Sequence, residues 1–296
     1  MKIPFDPDDF RYTGKGHCRP SAIPTKLPRR LYRGDAGLAS QLDAFRKEID
    51  ELQQQMLAHD RYGLLLIFQA MDAAGKDGTI KHVMSGINPH GVEVHSFKRP
   101  SEEEIDHDYL WRTAKVLPPR GKVGIFNRSY YEEVLVCRVH PEIITTSQRL
   151  PEETTENMEK LWRRRFAEIA NFESMLHANG TRVIKFYLHV SKEEQKQRFL
   201  ERIQTPSKNW KFNAGDLKER ALWKDYMRAY GEAIEATATK DSPWYLVPAD
   251  DKGDMRLIVS AAILRELRRL KLKWPVLPPE QQAALAECRK ALLAEK

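Results

Sequence analysis

An apolar run from Leu64 to Phe68 leads into Gln69-Ala70-Met71-Asp72-Ala73-Ala74-Gly75-Lys76-Asp77-Gly78-Thr79, and a helical pattern follows. Few local sequences limit a fold as tightly. The run Leu64–Gln69, bounded by Gly63, reads as a strand buried on both faces. Strand, loop, Gly-Lys and helix in that order form a phosphate-binding loop. Its backbone N–H groups and the positive end of its helix face phosphate oxygens, and the lysine reaches the terminal group. The usual form is G-x-x-x-x-G-K-[ST]. Ala70 stands where the first glycine belongs and Asp77 where the Ser/Thr belongs, so two of the four fixed positions match. Ala73, Ala74, Gly75, Gly78 and Thr79 are the other phosphate-binding candidates. The plainer alternative is a strand-to-helix turn that needs Gly75 and Gly78 for geometry and leaves Lys76 solvated. Carboxylates beside phosphates repel them unless a cation stands between. Asp72 is therefore read as a metal ligand or an acceptor-orienting group, and Asp77 is left open.

The alternation of strand and helix continues along the chain. Val92–Phe97, Lys122–Phe126, Thr181–His189 and Pro243–Pro248 read as further strands. Helices are expected at about Ser101–Val116, Ser129–Arg138, Thr155–Ala178, Asp216–Ala236 and Asp254–Leu270. Ser191 with Glu194 forms a capping box that opens another, and Gly180 ends a long helix as a C-cap. This pattern predicts an α/β fold: a three-layer α/β/α sandwich with a parallel sheet of about five strands. Residues 1–35, rich in proline and basic side chains, read as an extended arm. Residues 36–270 form the catalytic domain, with a helical lid near 139–170. Residues 271–296 form a peripheral tail. Leu38, Leu42, Phe45, Ile49, Leu52 and Met56 make one helical stripe, packed on the domain's own core or on a second copy.

Composition narrows the function classes. Among 296 residues, 49 Lys and Arg stand against 42 Asp and Glu, a formal charge of +7 that favours anionic partners. No apolar stretch reaches the roughly 20 residues of a membrane span, and MKIPFDPDDF has no apolar leader segment. The three cysteines, Cys18, Cys137 and Cys288, have no metal-ligand spacing. A reduced cytoplasmic location is expected.

The strand at Lys122–Phe126 ends in Asn127-Arg128-Ser129-Tyr130-Tyr131-Glu132-Glu133. Phosphate-loop enzymes place a metal-holding Asp at this strand end. Here Asn127 can orient water, or cap the next helix. Glu132, five residues on, can supply the missing carboxylate, or be a solvated helix residue. Arg128 can fork two phosphate oxygens. Lys98 and Arg99, at another strand's C-terminal end, face the usual ligand crevice of such sheets. His82 is read as helix surface.

These segments resemble the polyphosphate kinase 2 family. The resemblance rests on Asp72 to Lys76 with Gly78, on Phe126 to Ser129, on Tyr131-Glu132, on Lys208-Asn209-Trp210-Lys211-Phe212, on Pro243-Trp244 and on Asp250-Asp251-Lys252. It spans about residues 35–270. It implies a thymidylate-kinase-like P-loop kinase sandwich with a lid, and Mg²⁺-dependent phosphoryl transfer between inorganic polyphosphate and nucleotides, with Mn²⁺ able to replace Mg²⁺. Asp72 and Lys76 would be loop residues, Arg128 the strand-end arginine, and Lys208 and Lys211 part of the segment that meets polyphosphate. Asn127, where much of the family has Asp, together with Tyr131-Glu132 resembles the subgroup that phosphorylates both AMP and ADP. The expected partners are polyphosphate, adenine nucleotides and further copies of the chain, a dimer or tetramer, with no nucleic acid and no membrane.

Trp210 and Phe212 would then anchor the lysines of residues 205–220 by packing. Interleaved bases and aromatics also suit single-stranded nucleic acid. Of Arg163, Arg164 and Arg165, at most two can reach over the site from one helix. Two other functions compete: an ATP-dependent kinase, and a non-catalytic nucleic-acid-binding protein.

Overall fold

The computed structural model describes residues 3–295, with the backbone alone described at Lys211. The strands are β1 (Arg11–Tyr12), β2 (Gly63–Gln69), β3 (Val92–Ser96), β4 (Val123–Asn127), β5 (Thr181–His189) and β6 (Trp244–Pro248). The first half of the chain carries helices α1 (Gly34–His59), α2 (Lys76–Val83), α3 (Glu102–Ile105), α4 (Trp111–Ala114), α5 (Glu132–Val139) and α6 (Glu142–Thr146). The second half carries α7 (Glu152–Thr155), α8 (Met158–Ala178), α9 (Lys192–Gln204), α10 (Gly215–Ala221), α11 (Trp223–Thr237), α12 (Lys252–Arg269) and α13 (Pro279–Ala294).

The sheet runs β1-β6-β5-β2-β4-β3. β2 lies at its centre, parallel to β4 and β5, and every residue of β2 is buried. That uniform burial explains its unalternating apolar sequence. The register pairs Phe68 with both Asn127 and Phe186, so the C-terminal ends of three strands come level. Helices α1, α2 and α12 pack together in one layer, and α5, α8 and α11 in another. The α1 stripe buries Leu42, Phe45, Ile49 and Met56 against its own domain, chiefly on α12.

Expectation and structure differ in places, each for a local reason. The sheet has six strands, because the arm adds β1 antiparallel to β6. The helix expected at 101–116 is two short helices. Ser101 and Glu104 cap the first reciprocally, and Asp108 restarts the chain by accepting from the Leu110 N–H. The helix expected from Ser129 starts at Glu132, since Ser129 Oγ is spent accepting from the Tyr131 N–H. The one expected over 216–236 breaks at Leu222. Ser191 does cap α9, but Glu194 does not return the bond: its carboxylate receives Arg198 Nε at 2.8 Å. Gly180 follows α8 at φ +90°. No residue of α13 is buried.

Candidate active site

The chain leaves β2 at Gln69 and turns through residues 70–75 into α2. Gly75 sits at φ +106°, a conformation that calls for glycine, with Met255 Cε only 3.3 Å from where a Cβ would stand. Lys76 Nζ donates to the Ala70 carbonyl at 2.8 Å and so folds back over the loop. Burial lowers the Lys76 pKa, against the opposing pull of Asp72, Glu132 and Asp77. Thr79 is fully buried with its hydroxyl against Met255 Sδ, which removes that hydroxyl from phosphate contact. Gly78 has open space where a Cβ would stand.

Arg198 of α9 grips the loop from behind. It donates to the carbonyls of Ala73 (3.3 Å), Ala74 (2.6 Å), Ala249 (2.6 Å) and Asp250 (3.2 Å). Gln195, one turn earlier, donates to the Asp72 carbonyl at 2.9 Å. The reading of the sequence missed both. Their signal was present: Gln195, Arg198 and Phe199 share the buried face of α9, where two polar side chains need partners.

β4 delivers the opposing half of the site. Arg128 adopts φ +64°, an uncommon conformation for a side-chain-bearing residue. Its guanidinium bonds Asp72 Oδ1 at 3.0 Å and lies 3.9 Å from Glu132 Oε2. Asp72 and Glu132 therefore meet at Arg128, and Lys76 lies within electrostatic reach of all three. Burial raises the Glu132 pKa, and Arg128 and Lys76 restrain the rise. Glu132 is thus not a solvated helix residue. Asn127 does not cap a helix either: its Nδ2 donates to Asp77 Oδ1 at 2.7 Å. That bond gives Asp77 a partner and ties the phosphate loop to the end of β4.

A cavity of about 760 Å³ opens beside this cluster. Arg128 and Glu132 stand in its wall, as do Lys98 and Arg99 and apolar side chains that include Leu110, Val136 and Leu150. The segment expected to be a lid forms part of the same wall, and its Ile144, Leu161 and Trp162 make a small core with Cys137 of α5. Of the three consecutive arginines, Arg165 turns inward and donates to the Glu133 carbonyl at 3.0 Å, so it braces the wall. Arg164 lines the cavity and pairs with Glu168 at 3.4 Å.

The basic segment is a 3₁₀ turn over Pro206–Lys211. Lys208 is exposed on it; the side chain of Lys211 lies outside the described residues. Phe212 packs edge-on against Phe199, as an anchor should. Trp210 does not anchor: it is 78% exposed. Just beyond the turn, burial and the nearby Asp72 raise the pKa of Asp216, which places the start of α10 within electrostatic reach of the loop.

Asp72 and Glu132 are two carboxylates facing the same arginine. Among the described residues no cluster of three or more His, Cys, Asp or Glu could enclose a metal. This donor set suits a small hard cation that keeps water and takes phosphate oxygens as its remaining ligands.

A family model described as polyphosphate kinase 2 matches residues 35–273. An ADP-polyphosphate phosphotransferase of Rhodopseudomonas palustris is 54% identical over 248 residues, covering 83% of this chain and 85% of the relative. An AMP/ADP-polyphosphate phosphotransferase of Meiothermus ruber is 42% identical over 234 residues, covering 79% and 82%. The crystal structure of polyphosphate kinase 2 from Arthrobacter aurescens TC1 superposes with a TM-score of 0.84 at 37% identity, covering 97% of this chain and 99% of that one. No described helix is long and apolar enough to cross a membrane.

Proposed function

The chain belongs to the polyphosphate kinase 2 family, and from that premise we propose that it moves a phosphoryl group between inorganic polyphosphate and nucleotides, with AMP and ADP both accepted. The observation that carries this reading is that Arg128, bonded to Asp72 and beside Glu132, stands with Glu132 in the wall of a cavity of about 760 Å³ while Lys76 lies within electrostatic reach of all three. Phosphoryl transfer asks little covalent chemistry of a protein. It asks for in-line placement and for neutralised charge on the transferring group.

The donor end binds at the loop, where the backbone amides of residues 73–78 and Lys76 take its terminal phosphates. The acceptor nucleotide lies in the cavity, whose volume falls in the range of small-molecule sites, about 300–1,000 Å³. Arg128 stands between the two and can hold an oxygen of the transferring group as its bond to Asp72 loosens. Lys98 and Arg99 take the acceptor's own phosphate. A divalent cation, Mg²⁺ or Mn²⁺, held by Asp72 and Glu132, would supply further charge neutralisation on the phosphates. Lys208 and Lys211 guide the rest of the polyphosphate chain. Transfer is direct, without a phosphoenzyme. Support for two acceptors comes from Asn127 and from the name of the Meiothermus ruber relative; the Rhodopseudomonas palustris relative is named for ADP alone.

The test is product analysis with purified protein, Mg²⁺ and long-chain polyphosphate, AMP and ADP being supplied separately beside a Lys76→Ala control. ADP and ATP formed from AMP, and lost in the control, would support the whole reading. ATP formed from ADP alone would remove the second acceptor. No product from either would overturn the polyphosphate assignment in favour of an ATP-dependent kinase.

A further inference from the structure

Beneath the site lies a polar cluster that no step of the transfer uses. Glu173 of α8 and Lys185 of β5 form an ion pair at 1% and 0% exposure. Glu173 Oε1 accepts from the hydroxyls of Tyr130 and Tyr131, each at 2.8 Å. Its Oε2 accepts from Lys185 and, at 2.7 Å, from Ser242. Lys185 also donates to the Thr237 carbonyl at 2.9 Å. Thr237 Oγ1 lies 2.9 Å from the Tyr131 hydroxyl and accepts from Trp244 Nε1 at 3.0 Å. Burial and the Glu173 charge raise both tyrosine pKa values, so the hydroxyls stay protonated as donors.

A buried ion pair is weak support for stability, since well-packed apolar residues often serve as well or better. Its geometric consequence here is specific. Tyr130 and Tyr131 sit between Arg128 and Glu132, the two site residues that β4 and α5 supply. The turn opens with Arg128 at positive φ and ends in the first residue of α5. Its interior is held at two depths: Ser129 Oγ takes the Tyr131 N–H, and Glu173 takes both tyrosine hydroxyls. Both site side chains therefore leave a segment that cannot shift without breaking bonds in the core.

We infer that Glu173 is a positioning residue for phosphoryl transfer. Through the two tyrosine hydroxyls it holds Arg128 and Glu132 at the spacing the transferring group requires. The inference rests on the proposed function for its kinetic reading and on geometry alone for its structural one. Ser242 provides the control, because it bonds Glu173 Oε2 from the β6 side, whereas the tyrosine hydroxyls bond Oε1.

The experiment compares Tyr130→Phe/Tyr131→Phe with Ser242→Ala by thermal melting, steady-state kinetics and crystal structure. The double variant should fold, lower kcat by about 10- to 100-fold, as a displacement of about 1 Å does, and leave nucleotide KM within about twofold. Its crystal structure should show Arg128 or Glu132 moved by about 0.5 Å or more. Ser242→Ala should lower the melting temperature and keep kcat. A folded double variant with unmoved Arg128 and Glu132 would overturn the inference. So would a loss of kcat in Ser242→Ala that matches the double variant's. Tyr131→Phe alone, with a smaller effect in the same direction, decides the matter if the double variant does not fold. A wild-type protein inactive on polyphosphate would sink the proposed function and leave the displacement to judge the inference.

Discussion

Arg198→Met tests whether the phosphate loop is shaped from behind. Arg198 is 6% exposed and methionine roughly fills its volume, so the substitution removes bonds more than packing. The contacts with the Ala74 and Ala249 carbonyls, both 2.6 Å, are buried. Each carbonyl left without a donor costs about 1–3 kcal/mol. The other two carbonyls are partly buried and can turn to water. The Glu194 carboxylate is 30% exposed, and losing that pair adds about 0–1 kcal/mol. The expected loss is therefore about 2–7 kcal/mol, set against a total stability of about 5–15 kcal/mol. Urea unfolding should show a lowered midpoint at unchanged slope. Kinetics should show a raised KM for polyphosphate, because Ala73 and Ala74 belong to the loop whose amides are proposed to bind it. Arg198→Lys, a point charge in place of a fork, should fall between. A Met variant within about 1 kcal/mol of wild type, a typical net value for one hydrogen bond, and with unaltered KM would refute the reasoning.

Glu132→Gln should destroy activity yet stabilise the fold near neutral pH. Burial raises the carboxyl's pKa above its ordinary 4.5, so its contribution is intact below 4.5 and is lost as pH rises through the raised value. The amide escapes that loss, and melting curves of the two proteins should converge below pH 4.5; a less stable variant at neutral pH would mean that Arg128 and Lys76 outweigh burial. Asn127→Asp would set two carboxylates where the 2.7 Å bond to Asp77 now lies. Added ligand charge should lower the half-saturating Mg²⁺ concentration about tenfold, and a flat metal titration against wild type would contradict this placement. Lys208→Gln should raise KM for polyphosphate without changing kcat, and the difference should shrink as salt is added; a salt-independent effect would argue against a charge contact.

Regular, periodic segments were legible in the sequence. β5 occupies Thr181–His189 as expected, and the phosphate loop stands where the apolar run ends. Asp72, Lys76, Arg128 and Glu132 could be named from residue type and strand position, because parallel strands bring their C-terminal ends level. What escaped were pairings between distant segments. Asn127 and Asp77 are 50 residues apart, and Arg198 reaches loop carbonyls more than 120 residues away. Neither pairing leaves a local period. Trp210 was misjudged because an aromatic side chain in a loop usually marks burial, whereas here Phe212 packs on Phe199 and Trp210 stays exposed. β1 has two residues, too few for any alternation to show.

That short strand has a consequence in time. Arg11 and Tyr12 pair with Tyr245 and Trp244 across roughly 230 intervening residues. Asp6 and Asp8 reach Arg265, and Asp8 also reaches Arg269, both on α12. During synthesis the arm leaves the ribosome long before the strand it completes. It cannot dock until β6 and α12 exist, because distant contacts repay loop closure only once both ends are in place. Until then β6 is a bare sheet edge, open to pairing with another nascent chain. Docking of the arm thus follows the synthesis of β6 and α12, and it covers the Trp244–Tyr245 end of that edge with β1.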